Sequence, residues 1–311
     1  MKALAALLVT LAAVPLMAGE VGGTLTPVVR RAQYLMGTTC EITVASRDAA
    51  MIDPAFAEAK RIESMLSTWN QDSDLSRLNR GELREPPAEL RDLLAQTMEW
   101  SRRTNGAFDP RIKALVDVWK TRGEGAIPGK AAIAAALARH EWEEGGFGKG
   151  YALDRMLATL KTSDAMINFG GQIAVRGAFY VSIADPARRN KSVVGLTLAN
   201  ASLSTSSASE KTFEVSDKNG TQRFSHIFDP RTGQALPPRG SVSVVADEAL
   251  TADILSTALY VMGEDEGLRW ADANGVAAIF ITPTHQVRPS AAAREPKLQF
   301  RILDSDFSVK E

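Results

Sequence analysis

Glu143-Glu144-Gly145-Gly146-Phe147-Gly148-Lys149-Gly150, followed by Tyr151-Ala152-Leu153-Asp154-Arg155, brings three properties together. Glycines let the backbone approach a ligand closely. Lys149 sits among them and can neutralise a phosphate. A helix starts at once, because Leu153, Met156, Leu157 and Leu160 recur at i, i+3, i+4 and i+7. A helix N-terminus offers unpaired N–H groups and a positive dipole end, so the local reading is a phosphate-bearing ligand. No Ser or Thr follows the lysine, and Tyr151 stands where a last glycine would be, so the segment is neither a P-loop nor a dinucleotide fingerprint. Taken alone, it is better read as a tight turn with a solvated lysine.

The patterns around this segment set the fold class. Residues 39–45 alternate as a strand. Ala55, Ala59, Ile62 and Leu66 form a helical stripe, as do Leu90, Leu93, Leu94 and Thr97, and an alanine-rich helix covers about 131–139. Residues 165–169 make a short strand ending at Gly170-Gly171. Further strands are expected at 179–183, 193–198, 213–215, 241–246 and 276–282, with a helix from about 248 to 262. Segments 84–87 and 283–296 read as surface loops. Strands and helices intersperse without a regular βαβ rhythm, which favours α+β over a doubly wound sheet.

The chain begins Met1-Lys2 and runs apolar over residues 3–17, ending in Ala18-Gly19. One positive residue, a short apolar core and a small-residue end read as a secretory signal over 1–19 and a domain over 20–311. No cysteine follows the run, so no lipid anchor is indicated, and the expected location is the periplasm. Cys40 is the only cysteine, which excludes an intrachain disulfide or a cysteine metal cluster. A net charge of -1 with no basic block argues against a nucleic-acid partner.

Several short constellations carry possible chemistry. Asp253 and Thr257 lie one turn apart on a helix face, with Ser256 beside them. A carboxylate and a hydroxyl suit a hard cation such as Mg²⁺, although such pairs are more often a solvated polar stripe. His226, before Ile227-Phe228-Asp229-Pro230-Arg231-Thr232-Gly233, sits where a strand enters a turn and can serve as acid or base or as a structural histidine. Gly106-Ala107-Phe108-Asp109-Pro110 ends a helix, and either reverses the chain or sets Phe108 or Asp109 against a ligand. Trp69 can stack on a flat ring or cap the core. The hydroxyl-rich run 204–209 is either loop or a set of donors around phosphates.

In order along the chain these pieces resemble the ApbE family of flavin transferases. The carriers are Met36-Gly37-Thr38, Ser67-Thr68-Trp69 with Asp72-Ser73 and Ser76-Arg77-Leu78-Asn79, Gly106 through Pro110, and Gly145-Gly146 through Asp154. They continue with Asn168-Phe169-Gly170-Gly171, Asp185-Pro186, the stretch from Ser225 to Gly233, and Ala252-Asp253 to Thr257. The resemblance implies an α+β, two-lobed, T-fold-like architecture of antiparallel sheets with packed helices. It implies FAD as substrate and Mg²⁺, with transfer of the FMN half to a Thr or Ser hydroxyl of an acceptor protein and release of AMP. The acceptor it points to is a respiratory electron-transport subunit. FAD contacts carry over onto Met36, Trp69, Ala107, Phe108, Asp109, Glu143, Lys149 and Ile227. Metal contacts carry over onto the Gly146 carbonyl, Asp253 and Thr257, with Ser256 close by, and His226 falls near the reacting phosphate. Glu143 stands where the family has an aspartate, and Gln172 where it has an acidic residue. FAD storage on the same fold, or metal-dependent FAD hydrolysis to FMN and AMP, are the alternative activities.

Overall fold

The computed structural model describes residues 27–120, 127–208, 212–217 and 220–310. The leader over 1–19 and Ser209 of the hydroxyl-rich run lie outside the described residues. In chain order the first elements are β1 (Val28–Leu35), β2 (Thr38–Ala45), α1 (Ile52–Leu66), α2 (Asp74–Asn79), α3 (Ala88–Arg103), α4 (Lys113–Lys120), α5 (Lys130–Leu137) and α6 (Gly148–Thr159). A run of strands follows: β3 (Ala165–Phe169), β4 (Gln172–Arg176), β5 (Ala178–Ala184), β6 (Ser192–Ala199), β7 (Ser202–Ser207), β8 (Thr212–Asp217), β9 (Gly220–Ser225), β10 (Phe228–Asp229) and β11 (Gln234–Ala235). The chain closes with β12 (Ser241–Ala246), α7 (Ala249–Met262), α8 (Glu264–Ala273), β13 (Ala277–Ile281), β14 (Gln286–Pro289), β15 (Arg301–Ile302) and β16 (Ser308–Val309).

The architecture is α+β. A nine-stranded sheet in the order β1-β2-β3-β4-β7-β12-β13-β14-β16 forms the spine, antiparallel except between β14 and β16. Alternation along each strand sends its two faces to different partners. Ile167, Ala174, Val242 and Val244 face a helical layer that includes α1, α3, α6 and α7. Met166, Ile173, Val175, Leu203 and Ile279 face the other way, against β5 and β6 of a three-stranded sheet in the order β15-β6-β5. Helices on one face and a small sheet on the other bury the large sheet from both sides. A third cluster, centred on Leu115, Trp119, Ile133 and Phe228, joins α4 and α5 to the β10 turn, with the Trp119 indole donating to the Gly233 carbonyl at 2.9 Å.

Two expectations change. Of the two readings of residues 204–207, the loop gives way to the end of β7: the hydroxyls of Ser204, Thr205 and Ser206 meet side chains of α7 and β12, and Ser207 Oγ donates to the Gly240 carbonyl, which leaves the backbone free for the ladder. Within 283–296, β14 and a 3-10 turn at Ala292–Arg294 replace the surface loop, and Val287 and Ala293 are buried. The prolines at 283, 289 and 296 hid a strand of four residues that pairs antiparallel with β13.

The β1–β2 hairpin shows how local chemistry positions the site. Its two-residue turn, Met36-Gly37, has both φ angles positive, at 46° and 76°. That is the primed geometry that matches strand twist. The Met36 N–H donates to Glu63 Oε1 of α1 at 2.9 Å, which fixes the hairpin tip beside the helix end that carries Ser67 and Trp69.

Candidate functional site

A cavity of about 790 Å³ opens where the hairpin tip, the glycine segment, α7 and the β9–β10 bend converge. It is lined by Met36, Trp69, Ala107, Phe108, Asp109, Glu143, Gly146, Lys149, His226, Ile227, Asp253 and Thr257. Ser256 does not reach it. That side chain lies fully buried behind the wall, sharing hydroxyl contacts with Ser204 at 3.2 Å and Ser206 at 2.9 Å.

The innermost corner is built by the crossing of α6 and α7. Gly150 allows the close approach: a Cβ there would sit 2.5 Å from the Ala249 carbonyl oxygen and 2.7 Å from Asp253 Cβ. The contact lets the Gly150 N–H donate to Asp253 Oδ2 at 2.9 Å, while the Gln172 amide donates to Oδ1. Asp154, also on α6, caps α7: its two carboxylate oxygens accept from the N–H groups of Ala249 (2.7 Å) and Leu250 (2.8 Å). These are donors that a helix start otherwise leaves unpaired. Thr257 Oγ1 donates to the Asp253 carbonyl at 3.2 Å, and Gly146 sits against it, a Cβ there falling 3.5 Å from the Thr257 hydroxyl.

Burial raises the Asp253 carboxyl above the usual range, opposed by the charge of Lys149. Gln172 Oε1, Glu143 Oε2 and Glu144 Oε2 are buried with no hydrogen-bond partner among the described residues. Buried acceptor oxygens without donors are costly, and a cation relieves that cost. One carboxylate, a hydroxyl, a backbone carbonyl and an amide oxygen are all hard oxygen donors. They fit an ion that retains several waters, as Mg²⁺ does. No cluster of three or more His, Cys, Asp or Glu side chains is present among the described residues, so a purely side-chain cage is not what the corner offers.

Next to this corner the cavity wall is apolar and aromatic. Ala107 and Phe108 are buried, and Phe108 lies against Gly146. Trp69 stands at the mouth, 80% exposed, with the Lys120 ammonium 5.2 Å from its ring centroid. Glu143 has its carboxyl pushed up to about 7 by burial and the neighbouring Glu144, against the pull of Lys120 and Lys113. Its backbone N–H donates to the Pro110 carbonyl at 2.7 Å, which joins the glycine segment to the Phe108-Asp109 loop. His226 is exposed at the bend between β9 and β10, and Ile227 follows it, half-buried.

A feature missed in the sequence reading frames the rim. Asp109-Pro110-Arg111 and Asp229-Pro230-Arg231 are the same tripeptide with the same hydrogen-bond pattern. In each, the Arg N–H and Nε bond one carboxylate oxygen and Nη2 bonds the other, at 2.8–3.1 Å. Asp185-Pro186-Ala187-Arg188 closes a similar ring through the Ala187 N–H (2.8 Å) and Arg188 Nε (2.7 Å). The carboxylates are spent within their own turns, so the rim presents prolines and backbone rather than negative charge to an anionic ligand. The recurrence of Asp-Pro-Arg was visible in the sequence. The Gln172–Asp253 contact was not, because the two residues lie 81 positions apart.

Comparison with known proteins finds relatives over most of the chain. The ApbE family model matches residues 36–280. The FAD:protein FMN transferase of Klebsiella pneumoniae is 28% identical over 306 residues, covering 88% of this chain and 95% of that protein. That of Treponema pallidum is 28% identical over 335 residues, covering 90% and 91%. The solved structure of the apbe protein from Thermotoga maritima superposes with a TM-score of 0.75 at 23% identity, covering 86% of this chain and 98% of that one, and so shares the fold.

Proposed function

The chain belongs to the ApbE family, and on that footing we propose that it is an FAD:protein FMN transferase working with Mg²⁺ on an exported acceptor. The observation that carries the reading is the meeting, in one cavity, of the Asp253–Thr257–Gly146 corner, the Lys149 ammonium and an aromatic arm. Asp253, Thr257 and the Gly146 carbonyl would hold the cation, with the Gln172 amide bonded to Asp253. The cation supplies neutralisation of pyrophosphate charge. Lys149 adds a second positive charge to the same phosphates, and phosphoryl transfer depends chiefly on such positioning and charge stabilisation.

Phe108 and Trp69 give the flavin ring flat apolar surfaces and Met36 a flexible apolar one, and Gly150 and Asp154 hold α6 and α7 in the register that the corner needs. The acceptor hydroxyl is a weak nucleophile, and His226, which lines the same cavity, is the base we favour for its proton. The signal-like leader supports a periplasmic location, and a respiratory electron-transport subunit facing that compartment is the acceptor we favour.

The test combines the protein, FAD, Mg²⁺ and the flavin-acceptor domain of such a subunit, followed by mass spectrometry of the domain and chromatography of the nucleotides. An FMN adduct with equimolar AMP is expected. Free FMN with AMP identifies a hydrolase, and intact FAD retained on the protein identifies a storage protein. Asp253→Ala is expected to abolish transfer. Full activity of that variant in Mg²⁺ refutes the metal assignment.

A further inference from the structure

His226 stands on a bend that two independent sets of contacts hold. The first set is backbone. β9 ends at Ser225 and β10 begins at Phe228. The Leu236 carbonyl accepts from the Ser225 N–H at 2.7 Å, and the Leu236 N–H donates to the Ile227 carbonyl at 3.0 Å. One residue thus engages both neighbours of His226. The extra length bends the strand at the histidine, as a bulge does, and bulges re-aim side chains beside a site. The Ser225 hydroxyl closes the bend by bonding the Ile227 N–H and carbonyl, each at 3.2 Å.

The second set is aromatic. Trp119 of α4 is buried and is not among the cavity-lining residues. Its ring centroid lies 5.7 Å from that of Phe224 and 6.0 Å from that of Phe228. These are the residues two before and two after His226. Phe213, opposite Phe224 in the β8–β9 ladder, stacks on Phe224 at 5.7 Å and lies 5.9 Å from Trp119. Tilted and offset rings at such separations attract beyond their buried area. The indole N–H donates to the Gly233 carbonyl at 2.9 Å, so the turn between β10 and β11 hangs on the same side chain. We propose that Trp119 is a positioning residue for the reaction: by gripping the chain before and after His226, it sets where that imidazole stands in the cavity. This rests on the transferase reading above, in which His226 takes the acceptor's proton.

The exposure of His226 is the reason for such a support. Exposed side chains change rotamer readily, so the imidazole is located mainly by the backbone that carries it. A base must come within about 2.6–3.2 Å of the oxygen whose proton it takes. An error of about 1 Å introduced by a remote substitution can cost about 100-fold in rate. Binding makes a weaker demand on this bend. The metal corner is built by α6 and α7, and the Trp119 cluster contains no residue of either helix. Of the flavin contacts proposed above, Ile227 shares the bend, whereas Met36, Trp69, Phe108 and Lys149 lie on other elements. Loosening the bend therefore acts on rate more than on affinity.

The test uses the full chain. In Trp119→Leu, FAD affinity read by flavin fluorescence is expected to stay within about threefold, while kcat at saturating FAD and acceptor falls about tenfold or more. Introduced into His226→Gln, the same substitution is expected to lower the remaining rate by less than about twofold, because the position it sets no longer carries the base. An unchanged kcat in the single variant, or a full further loss in the His226→Gln background, overturns the proposal. Should Trp119→Leu not fold, Phe224→Leu takes its place with the same expectations, since that ring belongs to the same cluster and is only half-buried.

A second readout needs no activity. The chain has three histidines, and the imidazole resonance lost in His226→Gln is that of His226. In the unsubstituted protein it is expected as a single resonance that shifts when FAD and Mg²⁺ are added. In Trp119→Leu it is expected to broaden or split, with a reduced response to FAD. A His226 resonance that ignores FAD in the unsubstituted protein, or that behaves identically in the two proteins, overturns the proposal. If the unsubstituted protein transfers no FMN, the transferase reading fails, whereas the resonance still reports whether Trp119 sets the place of His226.

Discussion

Gly150→Ala sets two well-known effects against each other. Inside a helix, alanine is favoured over glycine by about 1 kcal/mol, so propensity alone predicts a more stable protein. The structure predicts the reverse. The new methyl would lie 2.5 Å from the Ala249 carbonyl oxygen, 2.9 Å from its carbonyl carbon and 2.7 Å from Asp253 Cβ. All three atoms belong to α7 backbone or the root of a side chain, and none can rotate away. The helices must part by roughly 1 Å to restore ordinary contact, and overpacking of this kind costs about 1–3 kcal/mol before any lost hydrogen bond is counted. Parting also stretches the 2.9 Å bond from the Gly150 N–H to Asp253. The net expectation is a loss of about 2 kcal/mol, seen as a lower urea midpoint at unchanged slope, together with weaker stabilisation by Mg²⁺. Gly145→Ala is the control, because its Cβ would meet nothing closer than 3.6 Å. If Gly150→Ala equals or exceeds the parent in stability, the close crossing of α6 and α7 is wrong.

Asp154→Ala leaves the Ala249 and Leu250 N–H groups without their acceptors and is expected to cost about 2–3 kcal/mol by denaturant titration, with a near-zero change counting against the cap. Trp69→Ala removes a side chain that is 80% exposed, so stability should change by less than about 0.5 kcal/mol. FAD binding by the same variant should weaken roughly tenfold through lost stacking, and unaltered affinity in calorimetry would show that the ring does not meet the flavin. Glu143 titrates at about 7 in the fold against 4.5 in the open chain, so the native state holds more protons between those values. Stability from this group is full below pH 4.5 and falls by up to about 3 kcal/mol as pH rises through 7. Glu143→Gln should flatten that part of the profile of the ligand-free protein, and an identical profile disproves the shift.

Local signals were legible wherever one segment carried them. The stripe of α1, the alternation of β2 and the apolar helix beginning near Glu248 all appear where periodicity places them. Periodicity failed where side chains answered to distant partners. The serines of β7 looked like loop because their usefulness lies in α7 and β12, across the sheet. β14 was hidden by prolines that flank a strand at the far side of the sheet. For the site, chain order was enough to nominate Met36, Phe108, Lys149, Asp253 and Thr257, which line a single cavity. It also nominated Ser256, by helical spacing and by its place beside the metal residues in the resemblance, and the fold buries that hydroxyl against Ser204 and Ser206. The pairing of Gln172 with Asp253 and the capping by Asp154 are properties of packing between remote elements, and no window of sequence contains them.

The two attachments of α6 to α7 also bear on how the protein senses its ligand. The amides of Gly150, Ala249 and Leu250 are sealed by carboxylates from the opposite helix. They exchange with solvent only when the helices separate. Ala249 and Leu250 are not among the cavity-lining residues, yet their hydrogen exchange should slow when a cation occupies the corner, because separating the helices then means releasing the ion as well. The grip between the helices thus makes the exchange of these amides a readout of cation occupancy at backbone positions that do not line the cavity.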